Sequence, residues 1–234
     1  MSAPQHLRTV SETGSTNDDV ALLAAQGAPD GLWLRADRQT GGKGRQGRVW
    51  ISPPGNLYAS TLVRLRAGDP PAPTLALAAA VALHEVAAAH APQAPILIKW
   101  PNDLLCGGAK LAGILLERGG DSVVVGFGVN LAHHPEGLER ATASLAKLTG
   151  ATPDPAAFLE DLAAAFARWL ARWRGEGLAP VRAAWLKSAH PPGTALATPE
   201  GEGLFDGLDA AGALRLRLAS GEIRTLHAGD VFLI

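Results

Sequence analysis

Hydrophobic and polar positions along the chain switch between a period of two and a period near 3.6, and the switches mark out the elements. Residues 6–10 read as a short strand and residues 32–36 as a second. Between them, SETGSTND offers Thr16 as the cap of a helix through DDVALLAAQ. Asp19 stands three positions on, as in a capping box, and Gly27 is the stop. RQTGGKGRQGRVW then breaks all periodicity, so the glycine-rich stretch is a long loop between strands, and ISPPGNLYASTLVRL resumes as a turn and an extended apolar run. Residues 74–90 are apolar nearly all round, the pattern of a helix buried in the core.

Three strand-like runs follow at residues 96–100, 111–116 and 123–131, with CGGAK and RGGD as hairpin connections. Asp154 and Pro155 open a helix whose Phe158, Leu162, Phe166, Trp169 and Trp173 share one face, and Pro180 starts another with Val181 and Trp185 one turn apart. After AHPPG (189–193) the runs become short and β-like, punctuated at EGEG, DAAG, ASG and AGD, at intervals that suit a small barrel of about 45 residues. The expected fold is α/β (α+β): a mixed sheet flanked by helices over residues 1–188 and a small β-domain over 189–234.

Composition narrows the function. With 234 residues, 47% of them hydrophobic, a sizeable core is assured. A formal net charge of -1 argues against a general polyanion-binding surface, so any phosphate contact is local. Cys106, the single cysteine, excludes an internal disulfide and a Cys-based zinc site. MSAPQHLRTV has no export-signal architecture, and the apolar run 75–83 is broken by His84 and Glu85, short of the roughly 20 residues of a membrane span. The expectation is a cytoplasmic protein without a membrane partner.

GKGRQG (42–47) spells GxGxxG, but RVWISPPGN follows it, and Pro53-Pro54 cannot lie inside the helix a dinucleotide site requires. The kinase reading lacks HRD and DFG, and the P-loop reading lacks Ser or Thr after Gly-Lys. What remains is a loop with Arg38, Lys43, Arg45 and Arg48, no acidic residue, and glycines to let it move. It suits closure over an anion, with a solvated basic turn as the plain alternative. KWPNDLL (99–105) sets Lys99, Asn102 and Asp103 at a strand end, or is an ordinary turn. KLAGILLE (110–117) puts Gly113 and Leu115 on one strand face, and VGFGVNL does the same for Gly126, Gly128 and Asn130. That makes a bare floor with an amide at its edge.

Taken in order, GSTN, GKGRxGRxW, KWPNDLL, KLAGILLE and GxGxNL resemble the biotin protein ligases over essentially the whole chain. The resemblance implies the biotin–lipoate ligase fold shared with class II aminoacyl-tRNA synthetases, plus a C-terminal SH3-like barrel. It implies ATP-dependent formation of biotinyl-5′-AMP and transfer of biotin to a lysine of the biotin carboxyl carrier protein of acetyl-CoA carboxylase, with other biotin-dependent carboxylases as further acceptors. Ser15, Thr16 and Asn17, helped by Gln39, would bind the ureido ring. Gly42, Lys43, Gly44 and Arg45 would cover biotin and phosphate, and Gly113 and Leu115 would line the biotin slot. Arg48, Trp50, Lys99 and Asn102 would favour ATP, with Asn130 reading both polar groups of the adenine edge. Lys110 would lie between the biotin carboxylate and the α-phosphate. Asp103 would orient or deprotonate the acceptor amine, or sit near the Mg²⁺ that accompanies ATP.

Lys43 stands where many relatives carry Arg, which keeps the charge but loses the bidentate fork. GSTN begins at residue 14, leaving no room before it for a DNA-binding domain, so no DNA binding is expected; a homodimer stays open. His133-His134 reads as a surface turn rather than a metal site. The rivals are a lipoate ligase or lipoyl/octanoyl transferase of the same fold and, from another class, a nucleic-acid-binding module using KGRQGR.

Overall fold

The structure is a computed structural model that describes residues 6–138 and 140–234. β1 (Leu7–Thr13) leads through α1 (Thr16–Ala25) into β2 (Trp33–Gln39), which lies parallel to β1; a parallel pair needs such a crossover. The glycine-rich loop follows, with one short 3₁₀ turn at Arg45–Gly47, and then β3 (Leu57–Arg64) and α2 (Leu75–His90). Next come β4 (Ile96–Lys99), β5 (Asp103–Cys106), β6 (Ala109–Gly119) and β7 (Ser122–Val129), then α3 (Leu145–Thr149), α4 (Pro155–Glu176) and α5 (Leu178–Lys187). The seven strands form one mixed sheet in the order β1-β2-β3-β7-β6-β5-β4, antiparallel apart from β1–β2. β8 (Ala195–Thr198), β9 (Gly201–Leu208), β10 (Leu214–Arg217), β11 (Ile223–Leu226) and β12 (Phe232–Leu233) make a second, wholly antiparallel sheet ordered β11-β10-β9-β8-β12.

Alternation on the central strands decides where the site lies. On β7, Val123, Val125, Phe127 and Val129 join the main core under α2 and α4. Val124 faces the other way, into a small cluster with Val20 and Ala24 of α1. Gly126 and Gly128 share the face of Val124. On β3 the same alternation puts Ser60 and Leu62 opposite Ala59 and Val63.

Several expectations need correction. Ser15, not Thr16, caps α1: its side chain accepts from the Asp18 backbone N–H, which leaves the Thr16 hydroxyl for the interior. KWPNDLL is not only a strand end; DLLC forms β5, so the region holds four strands where three were expected. Pro101 and Asn102 make a turn too tight for so short a strand to show a period. α3 was not foreseen, although Ser144 and Gly150 are ordinary caps. α5 begins at Leu178, with Pro180 inside its first turn, where the missing N–H costs nothing. Residues 72–90 are in fact long and apolar enough to span a membrane by length and composition. Packing identifies the stretch as core: ten of the sixteen residues of α2 are buried.

The second sheet docks on α5. Arg182 donates to the Leu208 carbonyl at 2.7 Å, and the rings of Trp185 and Phe205 lie 6.4 Å apart. This contact brings the turn before β12, with Gly229 and Asp230, to the mouth of the cleft above Gly126 and Gly128.

Candidate active site

That cleft is a cavity of about 700 Å³ over the ends of β4–β7, roofed by the glycine-rich loop. Every residue expected at the site lines it except Gly42. Gly42 lies behind the wall: its carbonyl takes the Trp50 N–H at 2.9 Å, and a Cβ there would meet Trp50 O at 2.5 Å.

One half of the cavity is lined by Thr16, Asn17 and Gln39, neutral groups in a hydrogen-bond chain that runs behind the wall through Ser60 and ends on Glu117. Gln39 Oε1 accepts from the Thr16 backbone N–H at 2.8 Å, while Gln39 Nε2 donates to Ser52 Oγ at 3.2 Å. Thr16 Oγ1 is 2.7 Å from Ser60 Oγ, Ser60 donates to Asn17 Oδ1 at 2.6 Å, and Asn17 Nδ2 donates to Glu117 at 2.7 Å. Thr16, Asn17 and Ser60 are all buried, and buried polar groups are tolerated when they are paired in this way. Gly126 makes room for the chain, since a Cβ there would fall 2.1 Å from Asn17 Oδ1.

The other half is ionic. Asp103, 4% exposed, has Lys110 Nζ 2.7 Å from Oδ1, and Arg140 Nη1 at 2.9 Å and Lys99 Nζ at 3.5 Å from Oδ2. Burial works against its charge, but Lys110, Lys99 and Arg140 outweigh burial and hold its carboxyl below the usual range. Lys99 goes the other way: burial, opposed by Asp103 and reinforced by Arg140 and Lys110, pulls it down to about 8. Both Asp103 oxygens face cations, so neither is free for Mg²⁺, and a carboxyl held this low is a weak proton acceptor. Among the described residues no group of three or more His, Cys, Asp or Glu side chains gathers as a metal site.

A bulge puts Lys110 here. Leu104 pairs with Ala112 but Leu105 with Lys110, so Leu111 is the extra residue; Leu111 and Ala112 both enter the core, and Lys110 turns to the cavity face beside Gly113. Above them the Trp50 ring lies on Gly128, where a Cβ would fall 2.6 Å from its Cε2, and Lys110 Nζ is 5.3 Å from the ring centroid. The floor that looked bare in the sequence therefore carries a flat side chain of the chain's own. Asn130 is committed on one side: its Nδ2 donates to Ala143 O at 3.0 Å and lies 3.4 Å from Lys110 O, so only Oδ1 is open to an adenine N6 donor.

The loop cations are already partnered. Lys43 Nζ pairs with Asp18 at 2.6 Å, and Arg45 donates to Gly229 O at 3.1 Å and Asn102 Oδ1 at 3.4 Å. Arg48 binds the carboxylate of Asp230 and donates to Gln46 Oε1 at 2.7 Å. Sequence reasoning missed Ser60, Glu117, Arg140 and Asp230. Glu117 was within reach, since it closes the KLAGILLE motif; Arg140 lies in an irregular segment and Asp230 in the connection before β12, and neither carries a local signal.

A neutral slot opening onto a cationic end, roofed by a basic glycine loop, defines an enzyme site built to bring a polar ring and a phosphate together. Residues 12–131 match the biotin/lipoate A/B protein ligase family and residues 195–234 match the biotin protein ligase C-terminal domain. The chain belongs to the biotin/lipoate A/B protein ligase family. It is 40% identical over 238 residues to a biotin–[acetyl-CoA-carboxylase] ligase of Paracoccus denitrificans, covering 95% of this chain and 98% of that one. A bifunctional ligase/repressor of Bacillus spizizenii is 32% identical, covering 97% of this chain and 74% of the relative. Among solved structures, the biotin protein ligase from Aquifex aeolicus in complex with biotin and ATP superposes with a TM-score of 0.88 at 25% identity, covering 98% of this chain and 100% of that one.

Proposed function

We propose that the chain is a biotin protein ligase. A biotin carboxylate oxygen attacks the α-phosphorus of ATP, the bond to pyrophosphate breaks, and biotinyl-5′-AMP forms. An acceptor lysine of the biotin carboxyl carrier protein then attacks the acyl carbon, and AMP leaves. The observation that carries this reading is the continuity, within one cavity, of the Gln39–Thr16–Ser60–Asn17 chain with the three cations around Asp103. A ureido ring presents two donors and one acceptor and matches the first half; a carboxylate meeting a phosphate needs the second. Lys110, at the junction, is placed to neutralise both anions. Asp103 keeps the cations in place, and Mg²⁺ arrives on the ATP phosphates.

The division near residue 188 assigns catalysis to residues 1–188, with residues 189–234 closing the mouth through Gly229 and Asp230. One buried cysteine and the use of ATP and a carrier protein fit action in the cytoplasm. The biotin ligases named above favour biotin over lipoate.

The test is biotin-dependent exchange of labelled pyrophosphate into ATP, followed by the intact mass of a biotin carrier domain incubated with the protein, ATP and biotin. Gain of one biotin is expected; exchange driven by lipoate but not biotin would overturn the reading.

A pH dependence follows from Lys99. With its pKa lowered to about 8, Lys99 is charged below that pH and neutral above it. kcat/KM for ATP in the exchange reaction should therefore fall as the pH rises from about 7 to about 9, following the free enzyme. Lys99→Met should already be ten- to a hundredfold (about one charge-assisted hydrogen bond) weaker at neutral pH and flat across that window. A wild-type fall that persists unchanged in Lys99→Met would assign it to another group.

A further inference from the structure

The hydrogen-bond chain under the ring slot has a direction, and one end sets it. Glu117 accepts from Asn17 Nδ2 at 2.7 Å, a carboxylate offers no proton in return, and the Leu115 carbonyl is a second, longer acceptor of the same NH₂ at 3.5 Å. Asn17 must therefore turn its NH₂ toward Glu117 and its Oδ1 inward, where Ser60 Oγ lies at 2.6 Å and donates to it. With its only proton spent there, Ser60 can only accept from Thr16 Oγ1 at 2.7 Å, so the Thr16 proton goes to Ser60. None is left for Gln39 Oε1, which lies 3.1 Å from Thr16 Oγ1 and already takes the Thr16 backbone N–H. Among the described residues, the Thr16 oxygen then receives no side-chain donor. It sits on the cavity wall with its lone pairs open.

Reversing the chain changes this. If Asn17 turned over, its NH₂ would donate to Ser60, Ser60 to Thr16, and Thr16 to Gln39, so the Thr16 oxygen would already hold a donor. We infer that Glu117 is a specificity-determining positioning residue: by fixing the direction of the chain, it presents Thr16 Oγ1 as an acceptor for a ring N–H of the ligand. This rests on the biotin reading above, where the ring N–H belongs to the ureido group. Glu117 is exposed and makes no ion pair among the described residues; the nearby Lys43 is held by Asp18. Its bond to Asn17 is thus its evident task, and a substitution there leaves the core untouched.

Glu117→Gln keeps the reach of the side chain but can meet Asn17 in either sense, which leaves only the long 3.5 Å contact with the Leu115 carbonyl to hold the amide in its original direction. Pyrophosphate exchange is measured for wild type and variant with biotin, with dethiobiotin, which has the same ureido ring, and with two biotins methylated at one or the other ureido nitrogen. KM for biotin and dethiobiotin should rise together in the variant by about tenfold, the weight of one neutral hydrogen bond, with KM for ATP unchanged. For one of the two analogues the penalty for methylation should shrink by a similar factor, because the bulk of the methyl is common to both enzymes and only the lost N–H differs.

Equal methylation penalties in wild type and variant, for both analogues, would overturn the inference, as would a shift in KM for ATP as large as that for biotin. Ser60→Ala removes the one side chain that would donate to Thr16 in the reversed chain and leaves the Thr16 proton to Gln39, so on that background Glu117→Gln should no longer change the methylation penalty; a change of the same size there would also overturn it. Wild-type enzyme that fails to exchange with biotin would instead sink the functional reading, so the two failures are distinguishable.

Discussion

Replacing Lys110 with methionine should slow formation of biotinyl-AMP by about 10²–10³-fold, the usual cost of removing one preorganised donor from a developing charge, and leave biotin affinity within a few-fold. Methionine keeps most of the side-chain volume beside Gly113 and under the Trp50 ring, so the neutral slot is undisturbed. What goes is the charge at the junction of the two half-sites. Lys99 and Arg140 remain on the far side of Asp103, contacting Oδ2 rather than Oδ1, so they do not replace it geometrically. Rapid-quench measurement of adenylate in a single turnover, beside calorimetric titration with biotin alone, separates chemistry from binding. Near-normal single-turnover adenylation would remove Lys110 from the reacting centre; a large loss of biotin affinity with normal chemistry would place it in the slot instead.

The position of Lys110 also shows where sequence patterning stops. Counting back by two from Leu115 and Gly113 puts Leu111 on the cavity face and Lys110 on the core side. The bulge at Leu111 inverts that order, and a bulge of this kind has no signature in a run such as AKLAGI; only the match to a whole motif put Lys110 at the site. The glycine floor, by contrast, was legible because Gly126 and Gly128 lie on a regular strand where period two holds. Its occupant was not, since the Trp50 ring arrives from a loop with no period. Ser15 and Thr16 are adjacent residues of similar capping propensity, and what separates their roles is Ser60, 44 positions from Thr16 along the chain. Arg140 and Asp230 reach the cavity only through tertiary folding. The long helices were the plainest features: α2 and α4 bury faces set by many residues, and single exceptions do not move them.

Asp103→Asn should destabilise the fold by about 3 kcal/mol near neutral pH, because it leaves the buried Lys99 cation, and the half-buried Lys110 and Arg140, without their counter-charge. Asn is nearly the same shape, but its NH₂ would point a donor at groups that only donate. Lys99 is 5% exposed and cannot turn to solvent without opening the core around it. The sign with pH follows from the lowered carboxyl pKa in the folded state. The contribution of Asp103 is full above the unfolded value of about 4 and is lost as the pH falls through the folded value, so the gap between wild type and variant in urea unfolding should be widest near pH 7 and close in acid. A gap that stays constant into acid would mean that Asp103 acts by shape rather than charge. If Asp103 is the resident counter-anion of this cluster, a non-hydrolysable ATP analogue should raise Tm more in Asp103→Asn than in wild type, since triphosphate then supplies the only negative charge the three cations can share. An equal rise in both would show that the phosphates do not reach the cations of Asp103, and would move the nucleotide toward Arg45 and Arg48.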